Sequence, residues 1–476
     1  MYDPKSARAE EFISHDEMRE TVEYARRMKD DLAAVDRILE KAREQKGLTH
    51  REASVLLACD DGEKTREIFS LAYQIKQEFY GNRIVLFAPL YLSNYCVNGC
   101  LYCPYHYGSG MARKKLTQEE IYAETAALQD MGHKRLAIES GEDPVNNPIE
   151  YILESLGTIY SVKHKNGAIR RANVNIAATT VENYRKLRDA GIGTYILFQE
   201  TYDKPGYEHL HPKGPKHNYA YHTEAMDRAM DGGIDDVGLG VLFGLENYAR
   251  EFAGLLMHAE HLEAVHGVGP HTISVPRVKP AQGVDPDSFE GGISDELFEK
   301  IAACIRIAVP YTGMIISTRE SQKVRERMLR AGVSQISGAS RTSVGGYAEG
   351  GGVNDAAPDD DTRQFEVSDT RTLDEVIQWL IDAGYVPSFC TACYREGRTG
   401  DRFMALCKSK QILNCCHPNA LMTLKEYLVD YASAPTREAG ERLIERELDQ
   451  IPKEKIRELA RKNLLDIENG LRDFRL

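Results

Sequence analysis

Apolar positions along the chain follow two regimes. Over residues 12–81 they recur at helical spacing, with no alternating run among them. There "LTHREASVLLACD" sets Thr49 and Glu52 at capping-box spacing ahead of an apolar stretch, so this region is predicted to be helical. From "NRIVLFAPLYL" onward, β-rich runs alternate with helical segments. Eight runs stand out, at 84–92, 135–139, 174–177, 194–198, 237–243, 271–275, 314–317 and 334–338. Thr117 with Glu120 caps the helix after the first run. "VENYRKLRDAG" places Val181, Tyr184 and Leu187 on one face and stops at Gly191. Leu373, Val376, Ile377, Leu380 and Ile381 form the stripe of the helix after the eighth run. Eight βα units predict an α/β fold, a closed (β/α)8 barrel, with an open doubly wound sheet as the alternative. "GGYAEGGGVNDAAPDDDTRQ" interrupts the last unit, as either a ligand cradle or a surface loop. Three helical segments close the chain, beginning near Thr423, Arg437 and Lys453. The organisation expected is a helical extension over 1–82, the barrel over 83–384 and a mostly helical C-terminal domain over 385–476.

Composition narrows the class. The 476 residues carry a net charge of −13, which argues against nucleic acid as a partner. No apolar run is long enough for a membrane span, and "MYDPKSARAEEF" has no secretory pattern, so a cytoplasmic location is expected. Ten cysteines in that setting point to metal or redox chemistry on reduced thiols. Cys59 and Cys304 stand alone and read as core residues, while the others gather near residue 100 and over 390–416.

"CVNGCLYC" places Cys96, Cys100 and Cys103 directly after the first strand, at the mouth where barrel active sites form. Three thiolates can hold three irons of a 4Fe–4S cluster and leave the fourth open; zinc with His106 as fourth ligand is the alternative. The tail offers Cys390, Cys393 and, after 22 intervening residues, Cys416, with a structural zinc site completed by His417 as its alternative. Barrel helices run antiparallel to the strands, so the chain leaves the eighth helix at the N-terminal mouth. The tail cysteines Cys390 and Cys393 follow within about ten residues and belong at that lower mouth, together with His271, which opens the sixth strand. Glu142, Glu200 and Arg319 end strands and belong at the upper mouth.

The spacing CxxxCxxC, with Tyr102 before its last cysteine, resembles the radical S-adenosylmethionine (SAM) enzymes. Ser140, Gly141 and Glu142 look like that superfamily's Gly-Gly-Glu motif, with Ser in the first place, and imply backbone contacts to the SAM amino group. "GLGVLFGL" (238–245) resembles its adenine-packing segment. "FQETY", "HPKGPKHNYAYH", "PHTISVPRVKPA" and "STRES" resemble the tyrosine lyases, a group that holds the thiamine-pathway 2-iminoacetate synthase ThiH and the FeFe-hydrogenase maturase HydG. The tail favours the HydG type. That resemblance implies cleavage of the L-tyrosine Cα–Cβ bond to p-cresol and dehydroglycine, then formation of carbon monoxide and cyanide at a second 4Fe–4S cluster. It implies a labile extra iron there, held by His271 and a free cysteine, a flavodoxin- or ferredoxin-like electron donor, and other hydrogenase maturases as partners. The family spacing selects Cys416 and makes Cys407 and Cys415 spectators. Arg319, assisted by Ser317 or Thr318, suits the tyrosine carboxylate, against a rim salt bridge to Glu320. Glu200 either binds an amino group or balances a lysine, and His271 has a plain core histidine as its alternative. Rival functions are a ThiH-like lyase with a zinc tail, a non-catalytic iron–sulfur scaffold or iron donor, and a radical SAM enzyme acting on RNA. With strands rising about 3.3 Å per residue and tilted by roughly 36°, the two clusters should lie on the order of 20–25 Å apart, joined by a polar channel.

Overall fold

The structure, a computed structural model, describes residues 1–289, 291–348, 362–409, 411 and 413–476. Most of the glycine-rich stretch that interrupts the last βα unit, positions 349–361, lies outside the described residues. Helices come first. His15–Met28, Leu32–Arg43, His50–Ala58 and Gly62–Tyr80 each start at a side chain that accepts a hydrogen bond from the first turn, respectively Ser14, Asp31, Thr49 and Asp61. Thr49 and Glu52 form both bonds of a capping box, a device worth about 1 kcal/mol at such a helix start.

The barrel strands are β1 (Arg83–Ser93), β2 (Arg135–Ser140), β3 (Arg171–Asn175), β4 (Tyr195–Ile196), β5 (Val237–Gly240), β6 (Thr272–Ser274), β7 (Gly313–Ile316) and β8 (Gln335–Ser337). They pair in sequence, all parallel, and β1 closes the ring by pairing with both β2 and β8. This settles the choice between a closed barrel and an open sheet. Every expected run coincides with a strand. β3 starts three residues before the expected Val174, because its inward positions Arg171 and Asn173 are polar and give no apolar signal.

β1 is long enough to serve both mouths. Its upper half pairs with β2, and its register shifts between Tyr91 and Ser93, just before the first cysteine loop. Its first residues, Arg83 to Val85, pair with β9 (Val386–Ser388), a strand absent from the sequence reading. With a proline at its centre and three residues in all, β9 offers too little pattern to find. It carries the chain to Cys390 at the lower mouth.

The tail helix expected near Thr423 begins ten residues earlier, as Leu413–Asp430. Pro418 is its sixth residue, past the first turn, where it removes one backbone hydrogen bond, so a residue that reads as a breaker lies within a helix that continues through it. Two short helices, Ala392–Arg395 and Gly400–Lys408, precede it. The tail is tied to the barrel by buried charge: Glu426 pairs with Arg170 at 2.6 Å and Lys134 at 3.2 Å. No described helix is long and apolar enough to cross a membrane.

Candidate functional site

At the upper mouth, the loop after β1 and the ends of the strands enclose a cavity of about 1100 Å³. Cys96, Cys100, Tyr102, Cys103, Ser140, Gly141, Glu142, Glu200 and Arg319 all line it. The cysteine loop is held by its own asparagine. Asn98 Nδ2 donates to Glu142 at 2.6 Å, and its Oδ1 accepts from the Lys216 backbone N–H at 3.0 Å. Gly214, at φ +91°, packs so closely on Asn98 that any Cβ there would collide with it, so the "HPKGPK" turn requires a glycine. A Cβ on Gly141 would likewise fall on the Tyr95 carbonyl. Tyr102 donates its hydroxyl proton to His211 Nε2 at 2.7 Å, since His211 Nδ1–H is used on the Tyr207 carbonyl.

Burial raises all three thiols, Cys103 up to about 12, so the loop gains little by ionising unless a cation or cluster joins it. Among the described residues no three His, Cys, Asp or Glu side chains converge closely enough to hold one metal ion. His106 turns its Nδ1 back to the Cys103 carbonyl at 2.7 Å and does not line the cavity. Three soft thiolates on one wall, without a converging fourth ligand, fit a cluster with one open iron better than a closed zinc site.

Glu200 sits at φ +69°, a strained conformation for a non-glycine residue, and its side chain pairs with Lys216 at 2.9 Å. The lysine weighed as its partner is thus Lys216. Burial alone would lower the Lys216 pKa, but Glu200 and Cys100 outweigh it and hold the ammonium above its ordinary value. Arg319 is half-buried, with its guanidinium 3.8 Å from the Phe365 ring centre, one contact to the Arg277 carbonyl at 3.3 Å and no partner for Nε. Glu320, the rival partner, is taken by Arg277 at 2.9 Å and Lys279 at 3.1 Å. Arg319 also lines the adjoining chamber of about 730 Å³ deeper in the barrel, together with Ser317 and Thr318. Glu139 and Asn175 line both chambers, and burial pushes the Glu139 carboxyl up to about 8. Sequence reading missed Glu139, Asn175, Lys216, His222 and Gln364. The last precedes Phe365 at the end of the glycine-rich stretch, and its amide lies 4.0 Å from Cys103 Sγ.

At the lower mouth, a cavity of about 560 Å³ is lined by Cys390, Cys393, Cys416 and His271, with Arg83, Arg135 and Tyr394 beside them. Cys393 Sγ and Cys416 Sγ are 4.0 Å apart. Hydrogen bonds from Cys393 and Cys415 hold the Cys416 thiol well below its ordinary pKa. Cys407 and Cys415 are outside the cavity wall, and His417 Nε2 turns to the Glu447 carbonyl at 3.1 Å. Three thiols on one wall beside two guanidinium groups again suit a cluster, whose negative charge the arginines would offset. Arg83, Arg135, Tyr394 and Asp236 gave no sequence signal, because each reads as an ordinary strand-start or helix residue.

A closed (β/α)8 barrel whose first loop aims three cysteines into a cavity at its upper mouth defines a radical SAM enzyme. The family model of the Radical SAM superfamily matches residues 90–256, and that of the Biotin and Thiamin Synthesis associated domain matches residues 274–386. A solved structure of the FeFe-hydrogenase maturase HydG is 54% identical, covers 98% of this chain and 100% of its own, and superposes with a TM-score of 0.94. HydG from Carboxydothermus hydrogenoformans is 38% identical over 96% of this chain and 99% of its own, with a TM-score of 0.82. The 2-iminoacetate synthase of Escherichia coli is 30% identical over 337 residues, which are 69% of this chain and 86% of that one. The chain belongs to the radical SAM family that holds HydG and the 2-iminoacetate synthases. Membership implies a 4Fe–4S cluster and SAM.

Proposed function

We propose that the protein is an L-tyrosine lyase of the HydG type. It would cleave the Cα–Cβ bond to p-cresol and dehydroglycine, then form carbon monoxide and cyanide at a second cluster, supplying an Fe(CO)(CN) unit for FeFe-hydrogenase maturation. The observation that carries this reading is the pair of three-cysteine groups at opposite mouths of one barrel. The likeness to HydG over nearly the whole chain, tail included, supports it.

In this reading Cys96, Cys100 and Cys103 hold the upper cluster. When bound, that cluster with SAM would supply the radical chemistry that removes hydrogen from the tyrosine amine. Backbone at Ser140, Gly141 and Glu142 receives the SAM amino group beside Tyr102. Arg319, left without a carboxylate partner, takes the tyrosine carboxylate, with Ser317 or Thr318 assisting. Glu200 with Lys216 fixes charge between the two ligands. Burial of the chamber strengthens each of these contacts. Below, Cys390, Cys393 and Cys416 hold the second cluster, and His271 with a free cysteine holds the labile iron. The units are the extension 1–82, the barrel 83–384 and the cluster domain 385–476. A flavodoxin- or ferredoxin-like donor reduces the enzyme, and other maturases receive its product.

Anaerobic reconstitution with iron, sulfide, SAM, tyrosine and reductant tests the whole reading. p-Cresol, carbon monoxide and cyanide are expected together. p-Cresol alone would reduce the function to that of a 2-iminoacetate synthase, and no p-cresol would remove the lyase.

A further inference from the structure

His271 has a polar neighbour at each ring nitrogen, and the two differ in kind. Its backbone is fixed in the sheet: its N–H donates to Val237 O at 2.9 Å, and its carbonyl accepts from Gly313 at 2.8 Å. Nδ1 faces Asp236 Oδ1 at 3.3 Å, close enough for an ion pair but not aligned as a hydrogen bond. Nε2 lies 3.1 Å from the Tyr394 hydroxyl. That hydroxyl also lies 3.1 Å from Arg135 Nη2 and 2.9 Å from Thr194 Oγ1.

The roles in this chain follow from what each group can do. A guanidinium only donates and a carboxylate only accepts. Nδ1, which faces the Asp236 carboxylate, therefore carries the proton. In the neutral ring Nε2 is then a bare lone pair, and the Tyr394 O–H points at it. Arg135 and Thr194 fill the two remaining positions on the phenol oxygen. The bonds run one way, Arg135 to Tyr394 to His271, with Asp236 facing the far nitrogen of the ring.

The docked tail touches both flanks of His271. Tyr394 enters from the helix Ala392–Arg395, with the guanidinium groups of Arg135 and Arg171 over its ring, at 5.4 and 4.8 Å from the centre. Six residues on, the Gly400 N–H donates to Asp236 Oδ1 at 3.0 Å, and Thr399 Oγ1 donates to Asp235 at 2.7 Å. Phe403 closes over the imidazole at 4.6 Å between ring centres. Asp236 Oδ2 is buried without a partner.

We propose that Asp236 and Tyr394 are positioning residues that set whether His271 can bind a metal ion. Asp236 holds the tautomer whose Nε2 is available, the arrangement in which a metal-ligating histidine gives its other N–H to a carboxylate. The Tyr394 hydroxyl is a displaceable latch: it occupies the lone pair a metal ion needs, so the two compete for one nitrogen. Thr194 is the acceptor to which the freed phenol proton turns. The inference rests on reading His271 as the ligand of the labile iron.

The test uses full-length protein reconstituted with both clusters. Ferrous iron is titrated while the electron paramagnetic resonance signal of the reduced lower cluster and the rate of iron release to a chelator are followed. Circular dichroism and cluster content check the fold. Asp236→Asn should weaken the labile iron on the order of tenfold to a hundredfold, as loss of an outer-shell partner does. Asp236→Glu should recover part of that loss. Tyr394→Phe should tighten iron by about fivefold, the worth of one net hydrogen bond. Thr194→Val, which leaves the tail untouched, should weaken iron and slow its loading, because the latch loses its alternative acceptor. Unchanged affinity in Asp236→Asn overturns the orienting role. Weaker iron in a Tyr394→Phe protein that keeps both clusters, or unchanged affinity in Thr194→Val, overturns the latch. His271→Ala separates the two levels: if it retains the labile iron, the ligand reading fails; if it loses iron while the other variants match wild type, only the positioning fails.

Discussion

The two mouths of the barrel differ in charge: the upper wall is balanced and the lower wall is cationic. The upper wall holds Glu139, Glu142 and Glu200 beside Lys216, Lys279 and Arg319. The lower wall holds Arg83, Arg135 and His271 and, among the described residues, no carboxylate. They also differ in construction. The upper site is made from one loop and the ends of strands, so its residues come in short, contiguous motifs. The lower site is made from strand starts and a tail that returns to them, so its residues are scattered from Arg83 to Cys416. In the proposed reading the chemistry matches the charge. Two amino-acid ligands, SAM and tyrosine, each bring an ammonium and a carboxylate to the upper mouth. The lower mouth surrounds a thiolate-bound cluster with guanidinium groups.

The largest effect should come from breaking the upper mouth. Cys96→Ala, Cys100→Ala or Cys103→Ala should abolish SAM cleavage and p-cresol together, since among the described residues no other cysteine lines the upper cavity. Normal p-cresol from the triple variant would end the assignment. The lower mouth should respond differently. Cys390→Ala combined with Cys393→Ala should keep p-cresol and lose carbon monoxide. If a folded double variant loses both products, the two mouths do not divide the reaction.

An intermediate effect tests the charge contrast. Arg319→Lys keeps the cation but loses the fork that grips a carboxylate at two points. A charged hydrogen bond is worth about 1.5–3 kcal/mol, so the tyrosine KM should rise on the order of ten- to a hundredfold while lower-cluster iron stays constant. Initial rates of p-cresol formation across tyrosine concentrations measure this. An unchanged KM would place the carboxylate elsewhere.

The contrast also explains what the sequence made legible. "CVNGCLYC" and "SGE" could be read because cluster and cofactor contacts use backbone and adjacent side chains. The barrel could be read because each strand is an apolar run followed by a capped amphipathic helix, as at Thr117 and Glu120. The mouth assigned to Cys390 and Cys393 followed from helix direction alone. Tyr394 and Asp236 could not be read: each lies in ordinary sequence, and only closure of the sheet with docking of the tail brings both to His271. Lys216 could not be matched to Glu200 for the same reason, because a loop turn held by Gly214 brings it there. The channel was read too simply. The sequence argument expects a polar lining throughout, whereas the middle chamber sets Phe87, Ile196 and Ile315 among Ala137, Ser274 and Ser337. Small size at the other positions, rather than uniform polarity, leaves the interior unfilled.

That interior is where the comparison between the mouths can be sharpened with the smallest change. Ser274 lines the middle chamber on β6, and His271, three residues earlier, lines the lower cavity. At about 3.3 Å per residue the two are roughly 10 Å apart along the strand. The tier between them includes Gly238, Thr272 and Gly313. A Cβ on Gly238 would press on Thr272 and Ile196, and one on Gly313 would press on Gln335. These glycines keep free the little space the tier has. Ser274→Leu puts a branched side chain just above it, at an overpacking cost of about 1–3 kcal/mol that a barrel of this size should survive. If dehydroglycine passes inside the barrel, carbon monoxide formed per p-cresol should fall several-fold, with p-cresol and both clusters retained. Ser274→Ala should leave the ratio at its wild-type value. A Ser274→Leu protein with an unchanged ratio would mean the fragment reaches the lower mouth by another route, and the two sites would be coupled only through solvent.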